Sequence, residues 1–403
     1  MTKNLMLAAI LAMALGGGSA VAADVPSTIT FGSSLQLTGQ DANLGRYYRD
    51  AYTLTIDRIN QAGGIKIGGK SVPITLKLLD NQSDINLSVR QYVGLVAQDK
   101  VDFLLGPYAS SLTLADSSIA EKYQIPMVEG GGASPQIFSR GYKYIFGLLP
   151  PADDYFASTI TMLQQLQPKA STVALVTADD AFDVSVAKGT RKLLKAAGMN
   201  IVLDQSYAAK SSDFSSIMAQ IKSKQPDVVL WGGLEPEVLN ALRQSKSLNA
   251  NPKLMMSFTV GVPAADFRKA LGKDANDAFG MTAWLPTPAL KDDWFGDASK
   301  YAAAYKAKYG YDPDYHGAAG AVAVETLVKG IEKAGSLDKA KVRDAIASSD
   351  FESLYAHVKF NAGGQIVVPQ IVIQIQKGEV APIFTDKFID KPVFPVPPWN
   401  QRG

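Results

Sequence analysis

The sequence predicts an α/β fold of two similar lobes, each a parallel sheet covered by helices, joined by a three-crossing hinge. Three observations carry this. Short apolar runs rich in β-branched or aromatic residues alternate with helical stretches, the order that sheets flanked on both faces require. A segment of the first half is echoed in the second. And 403 residues, 47% hydrophobic and 19% charged, can bury the cores of two domains.

In chain order, the first feature is an address. Lys3 precedes an apolar run over 5–15, then Gly16-Gly17-Gly18, and Ala20-Val21-Ala22 offers the small residues a signal peptidase reads. Residues 1–22 therefore read as a secretory signal, too short to span a bilayer comfortably. With no cysteine, a lipid anchor at the cleavage site is excluded. The expected product is an exported, soluble, periplasmic chain.

Strands are expected near 29–31, 74–79, 103–105, 127–128, 173–176, 228–231 and 254–256. The helix over 46–62 ends at Gly63-Gly64, a C-terminal glycine stop. The echo pairs 100–111 with 225–236: each has Asp, an apolar strand and a strand-end glycine. Each continues through a helix to a proline before the next strand. Two copies at so long a period describe two lobes and not a solenoid.

Helices over 301–309 and 316–334 and a last strand over 371–375 require the chain to change lobes three times, near 147–153, 277–284 and 355–363. This assigns 23–150 and 279–357 to the first lobe, and 151–278 and 358–403 to the second. Such a hinge supports closure around a ligand, and ligands of these sheets sit beyond the carboxyl ends of the strands. The tail from Lys391, with Pro392, Pro395, Pro397 and Pro398, reads as extended.

Composition narrows the chemistry. Forty Lys and Arg against 38 Asp and Glu leave no basic field for a phosphate backbone, so no nucleic-acid partner is expected. Zero cysteines remove disulfides, thiolate metal sites and cysteine nucleophiles. Two histidines, His316 and His357, weigh against a histidine-rich metal centre. Neither metal nor cofactor is expected.

Several pieces now combine: Leu37-Thr38-Gly39 with Gly45, residues 59–65, Gly106-Pro107-Tyr108-Ala109-Ser110-Ser111, Gly131-Gly132-Ala133-Ser134-Pro135, residues 232–237 and residues 331–335. In this order the chain resembles the type I periplasmic substrate-binding proteins of ABC importers, the leucine/isoleucine/valine-binding group. The resemblance implies two Rossmann-like lobes, and a ligand carboxylate held by the Ser110 hydroxyl, beside Tyr108 and Ser111. Backbone amides and a hydroxyl of a second loop, at Gly131, Gly132, Ala133 and Ser134, would complete that grip. Helix N-termini with unpaired N–H groups suit this task on physical grounds. Helix capping remains the other reading of Ser110, Ser111 and Ser134. A phosphate loop is not indicated, since neither its glycine spacing nor a following Lys-Ser/Thr is present.

Departures from the family pattern bear on the ligand. Amino-acid-binding members pair the ligand ammonium with an acid where this chain has Thr259 or Val260, and no Asp or Glu follows until Asp266. A buried ammonium without a carboxylate would be costly. Two framing aromatic positions fall at Phe182 and Leu234, and Leu44 stands where a tyrosine is often found. The resemblance then implies an aromatic or hydrophobic organic acid as ligand. A branched-chain or other amino acid is the alternative. Tyr47 and Tyr48 read as core, Tyr155 as pocket lining or hinge packing, and the aspartates 179, 180 and 183 as turn and N-cap residues.

The expected function is ligand delivery by a monomer to the membrane permease of an ABC importer, with sensing through a membrane receptor as the alternative. Catalysis is not expected. A serine hydrolase built on Ser110 would need a base, neither histidine lies in a cleft-forming strand-to-helix loop, and Gly-x-Ser-x-Gly is absent. Both histidines read as structural.

Overall fold

The computed structural model describes residues 25–402; the expected signal over 1–22 lies outside them. Two large sheets organise the chain. The first has the order Ile74–Asp80, Ile29–Leu35, Phe103–Leu105, Met127–Glu129, Ile145–Gly147, all parallel. Its central strand Phe103–Leu105 is buried throughout and accordingly apolar at every position, as a strand covered on both faces must be.

The second sheet runs Glu379–Phe384, Ile371–Gln376, Phe279–Thr282, Met255–Phe258, Val228–Trp231, Thr172–Ala178, Asn200–Tyr207. Five of these are mutually parallel, and the two latest in sequence join antiparallel beside Phe279–Thr282. That membership moves the expected boundary at 278/279. Phe279–Thr282 pairs with strands of the second sheet on both sides, so the chain leaves this lobe only after Thr282. The third crossing also comes late: Gly147 pairs with the stretch around Gln365, accepting from Ile366 N (3.0 Å) and donating to Gly364 O (2.8 Å).

Helix Ala42–Gln61 starts four residues before the expected 46. It packs on Tyr315–Ala334, which comes late in the chain but covers the first sheet. Small residues make the approach close: a Cβ on Gly320 would sit 3.1 Å from Ala51 and 3.2 Å from Tyr48. This contact fixes the start of Tyr315–Ala334 against the cleft. The tail returns over the second lobe, where Val396 N donates to Leu254 O and Trp399 Nε1 to Ser245 Oγ.

Candidate functional site

Two loops at the carboxyl edge of the first sheet build one wall. After Leu105 the chain turns through Gly106–Ala109 into helix Ser110–Tyr123, with Ala109 at φ +69° as its N-cap. Ser110 Oγ does not cap that helix. It accepts from the amides of Ala133 (3.0 Å) and Ser134 (3.1 Å), tying the two loops together. An oxygen that accepts twice keeps its own proton, and Ser110 O–H is left to donate into the cavity it lines.

The neighbouring amides behave otherwise than expected. Those of Gly131 (2.7 Å) and Gly132 (2.5 Å) donate to Oε2 of Glu129, so they are turned from a ligand toward a buried side chain. Burial pushes the Glu129 carboxyl up to about 8, although both amides pull the other way. Gly131 must be glycine here, since a Cβ would fall 2.3 Å from Pro107 O.

The start of helix Tyr315–Ala334, which packs on the same sheet, adjoins this wall. Asp314 caps the helix, accepting from His316 N (2.9 Å). Its Oδ2 accepts from His316 Nδ1 (2.9 Å), with both side chains 2% exposed. The ring lies 3.9 Å from that of Tyr315, tilted by 31°, and meets Tyr108 edge-on at 5.4 Å. His316 lines the cavity, which corrects its assignment to a structural role away from the cleft. The second crossing carries this helix start to the site, a placement that sequence neighbours do not reveal.

The second lobe contributes Phe182, Leu234 and Val260, and the crossings contribute Leu149 and Tyr155. Tyr155 meets Phe182 edge-on at 4.9 Å. In this closed form the free cavity volume is small, about 10 Å³. Of the sequence candidates, Tyr108, Ser110, Gly131, Ala133, Phe182 and Leu234 come together around it. Leu44, Ser111, Gly132, Ser134 and Thr259 do not line it. Leu44 is buried in the core, Ser111 is half-buried on its helix, and Gly132 packs on Thr113 and Ile137. Ser134 Oγ, which caps no helix, meets Ser185 Oγ across the lobes at 2.9 Å. Thr259 Oγ1 closes a ring with Gly233, accepting from its N (3.1 Å) and donating to its O (3.0 Å); the neighbour Val260 takes the lining position.

No Asp, Glu, Lys or Arg side chain lines the cavity. Acids do stand behind its walls, which the local sequence around 254–266 did not suggest. Buried Glu235, adjacent to Leu234, is pushed up to about 8 by burial and by Asp266 and Asp314, with Arg46 opposing. Arg46 itself pairs with Asp266 across the cleft and lies over the Tyr311 ring at 4.3 Å. Two further contacts bridge the lobes: Ala265 N donates to the Tyr47 hydroxyl (3.1 Å), and Lys210 Nζ to Ser83 O (3.3 Å). The lobes are closed. Asp180 caps helix Ala181–Ala196 as expected, whereas Asp179 ties its turn to Ala209 N, 30 positions on, and Asp183 lies buried in the first turn of the helix with neither carboxylate oxygen partnered.

Comparison with known proteins agrees with this geometry. A family model described as periplasmic binding protein matches residues 28–379. The Leu/Ile/Val-binding protein homolog 7 of Brucella suis biovar 1 (strain 1330) is 27% identical over 361 residues, 88% of each chain. The solved branched-chain amino acid transporter substrate-binding protein LivJ of Streptococcus pneumoniae, in complex with isoleucine, aligns with a TM-score of 0.76 at 23% identity. It covers 88% of this chain and 97% of its own. A solute-binding protein of an R. palustris ABC transporter, in complex with benzoate, gives a TM-score of 0.78 at 20% identity, covering 89% and 96%. Among the described residues no helix is long and apolar enough to cross a membrane. With its two sheets, its multi-stranded hinge and its interlobe cavity, the chain belongs to the periplasmic binding protein family and has the type I fold.

Proposed function

We propose that this protein is the extracytoplasmic solute-binding component of an ABC importer, and that it captures a small organic acid with an apolar or aromatic body. The observation that carries the reading is the make-up of the cavity. Phe182, Leu234, Val260 and Leu149 offer apolar walls, while Ser110 presents an uncommitted hydroxyl proton at one end. A few placed polar groups in an apolar cleft are what orient a small ligand. The carboxylate would accept from Ser110 O–H, a donor polarised by the two amides it already receives. Binding and not catalysis suits this serine, because no base hydrogen-bonds to it among the described residues.

Closure would then couple ligand to lobe contact, since the bridges Arg46–Asp266 and Ser134–Ser185 form only when the lobes meet. The closed form is what a partner permease of an importer would recognise.

A second reading, an α-amino acid ligand, has one observation in its favour: Glu235 lies beside Leu234, behind the cavity wall. Held neutral up to about 8, it would have to ionise to meet an ammonium. A thermal-shift panel separates the two readings. Aromatic and hydrophobic acids should raise the melting temperature; stabilisation by branched-chain amino acids alone would overturn the proposal.

A further inference from the structure

We infer that Asp41, Ser83, Lys210 and Glu237 form a pH-sensitive latch across the cleft. Closing the lobes brings carboxyl groups of both onto one ammonium, so closure takes up protons and is favoured in mild acid. The latch acts on closure itself, whichever ligand is held.

Its frame is a chain of hydrogen bonds that passes from lobe to lobe. On the first lobe, Asp41 N donates to Ser83 Oγ (3.2 Å), in a turn where Gln82 and Ser83 both take left-handed backbone, at φ +56° and +59°. On the second lobe, Lys210 N donates to Glu237 Oε1 (2.8 Å), and Lys210 Nζ reaches over to Ser83 O (3.3 Å). Asp41 and Glu237 are thereby gathered around one lysine. They are only 7% and 2% exposed, and Glu237 Oε2 has no partner among the described residues. Two carboxylates shut away from water near each other are unfavourable, and protonation relieves both costs.

The remaining charges nearby leave the balance acidic. Asp180 faces Asp41 and Glu237, and buried Asp183 faces Asp180 and Glu237; both belong to the second lobe. Asp179 is tied to Ala209 N, and Asp80 and Asp84, beside Ser83, are taken by amides of their own turns. The phenols of Tyr108 and Tyr207 also face these acids, and burial pushes both far up, so they stay protonated. The cation facing the group is Lys210. Burial, with Asp180 adding to it, pushes Asp41 up to about 6 against the pull of Lys210. Burial, with Asp180 and Asp41 adding to it, pushes Glu237 up to about 7 against the Lys210 amide. Opening parts Asp41 from Asp180 and Glu237 and lets water reach them, so both return toward their ordinary 3.8 and 4.5. The proton-linked gain in closure is therefore fully present below 3.8 and is lost as pH rises through about 6 and then about 7. A ligand trapped by closure is held more tightly in mild acid and released as pH rises.

The test reads closure without any ligand. The chain has no cysteine, and the Ser134 and Ser185 oxygens lie 2.9 Å apart across the closed cleft. Ser134→Cys with Ser185→Cys therefore gives a disulfide that only the closed form can make, and its rate of formation in oxidised glutathione counts even rare closures. Each rate is divided by that of the same chain carrying Asp41→Asn and Glu237→Gln at the same pH, so thiol chemistry cancels. This ratio should rise about tenfold between about pH 8 and about pH 6. Lys210→Met, placed in the same cysteine pair, needs no change to the acids. Trapping should slow at the higher pH and much less at the lower, where the carboxyls that the lysine neutralises are protonated. A ratio that stays constant over this range, or a Lys210→Met deficit equal at both pH values, would overturn the inference. Either result leaves the reading of the ligand where it stood.

Discussion

Arg46 and Asp266 meet across the cleft, one from the first helix of the first lobe and the other from the short helix Ala265–Leu271 of the second. Both are partly exposed, at 34% and 25%, so the pair is modest in strength and open to salt. Its effect is on closure. Asp266→Asn should weaken ligand binding by a few-fold, mainly through faster dissociation, and the deficit should shrink as ionic strength rises. Stopped-flow dissociation at two salt concentrations checks this; a change confined to the association rate would contradict it.

Ser110 has two tasks, and one substitution exposes both. Ser110→Ala removes the acceptor for the Ala133 and Ser134 amides as well as the donor to the ligand. Binding should weaken by about 1–3 kcal/mol, with a lower melting temperature of the free protein. A variant that binds normally would remove the serine from the site.

Glu129 makes stability depend on pH. Its carboxyl, raised from 4.5 to about 8 in the folded chain, binds a proton more tightly there than in the unfolded chain. Its contribution is fully present below 4.5 and is lost as pH rises through about 8. Glu129→Gln keeps an oxygen for the Gly131 and Gly132 amides and cannot ionise. Its melting temperature should fall less steeply over that window than the wild type's. An unchanged slope would place Glu129 ionised in the folded protein.

Thr259 and Val260 divide structure from recognition. Thr259→Val breaks the ring with Gly233 and should cost about 1 kcal/mol of stability while leaving the order of ligand preference intact. Val260→Asp puts a carboxylate on the cavity wall and should weaken acid binding sharply. Denaturation and calorimetry of the two variants together test the division.

What could be read in advance followed from burial that writes itself into local sequence. The strands Phe103–Leu105 and Val228–Trp231 are covered on both faces and are continuous apolar runs. Strand Asn200–Tyr207, by contrast, lies at a sheet edge with Asn200, Asp204 and Ser206 exposed, so it lacks the continuous apolar run that marks the central strands. At the site, Ser110, Ala133 and Phe182 were legible from loops that end strands. His316 and Tyr315 were not, because a helix start delivered by a crossing carries no such mark. Nor could sequence show that Glu129 claims the amides of Gly131 and Gly132, which is a matter of side-chain burial. The exchange of Val260 for Thr259 is a one-residue shift at the end of strand Met255–Phe258, within the reach of any turn.

The most direct measurement of the central claim is a calorimetric titration of the purified protein with benzoate and, separately, with isoleucine. The account predicts a saturable one-to-one isotherm for benzoate, lost or greatly weakened in Ser110→Ala, and little or no heat from isoleucine. Tight isoleucine binding with no response to benzoate would contradict it.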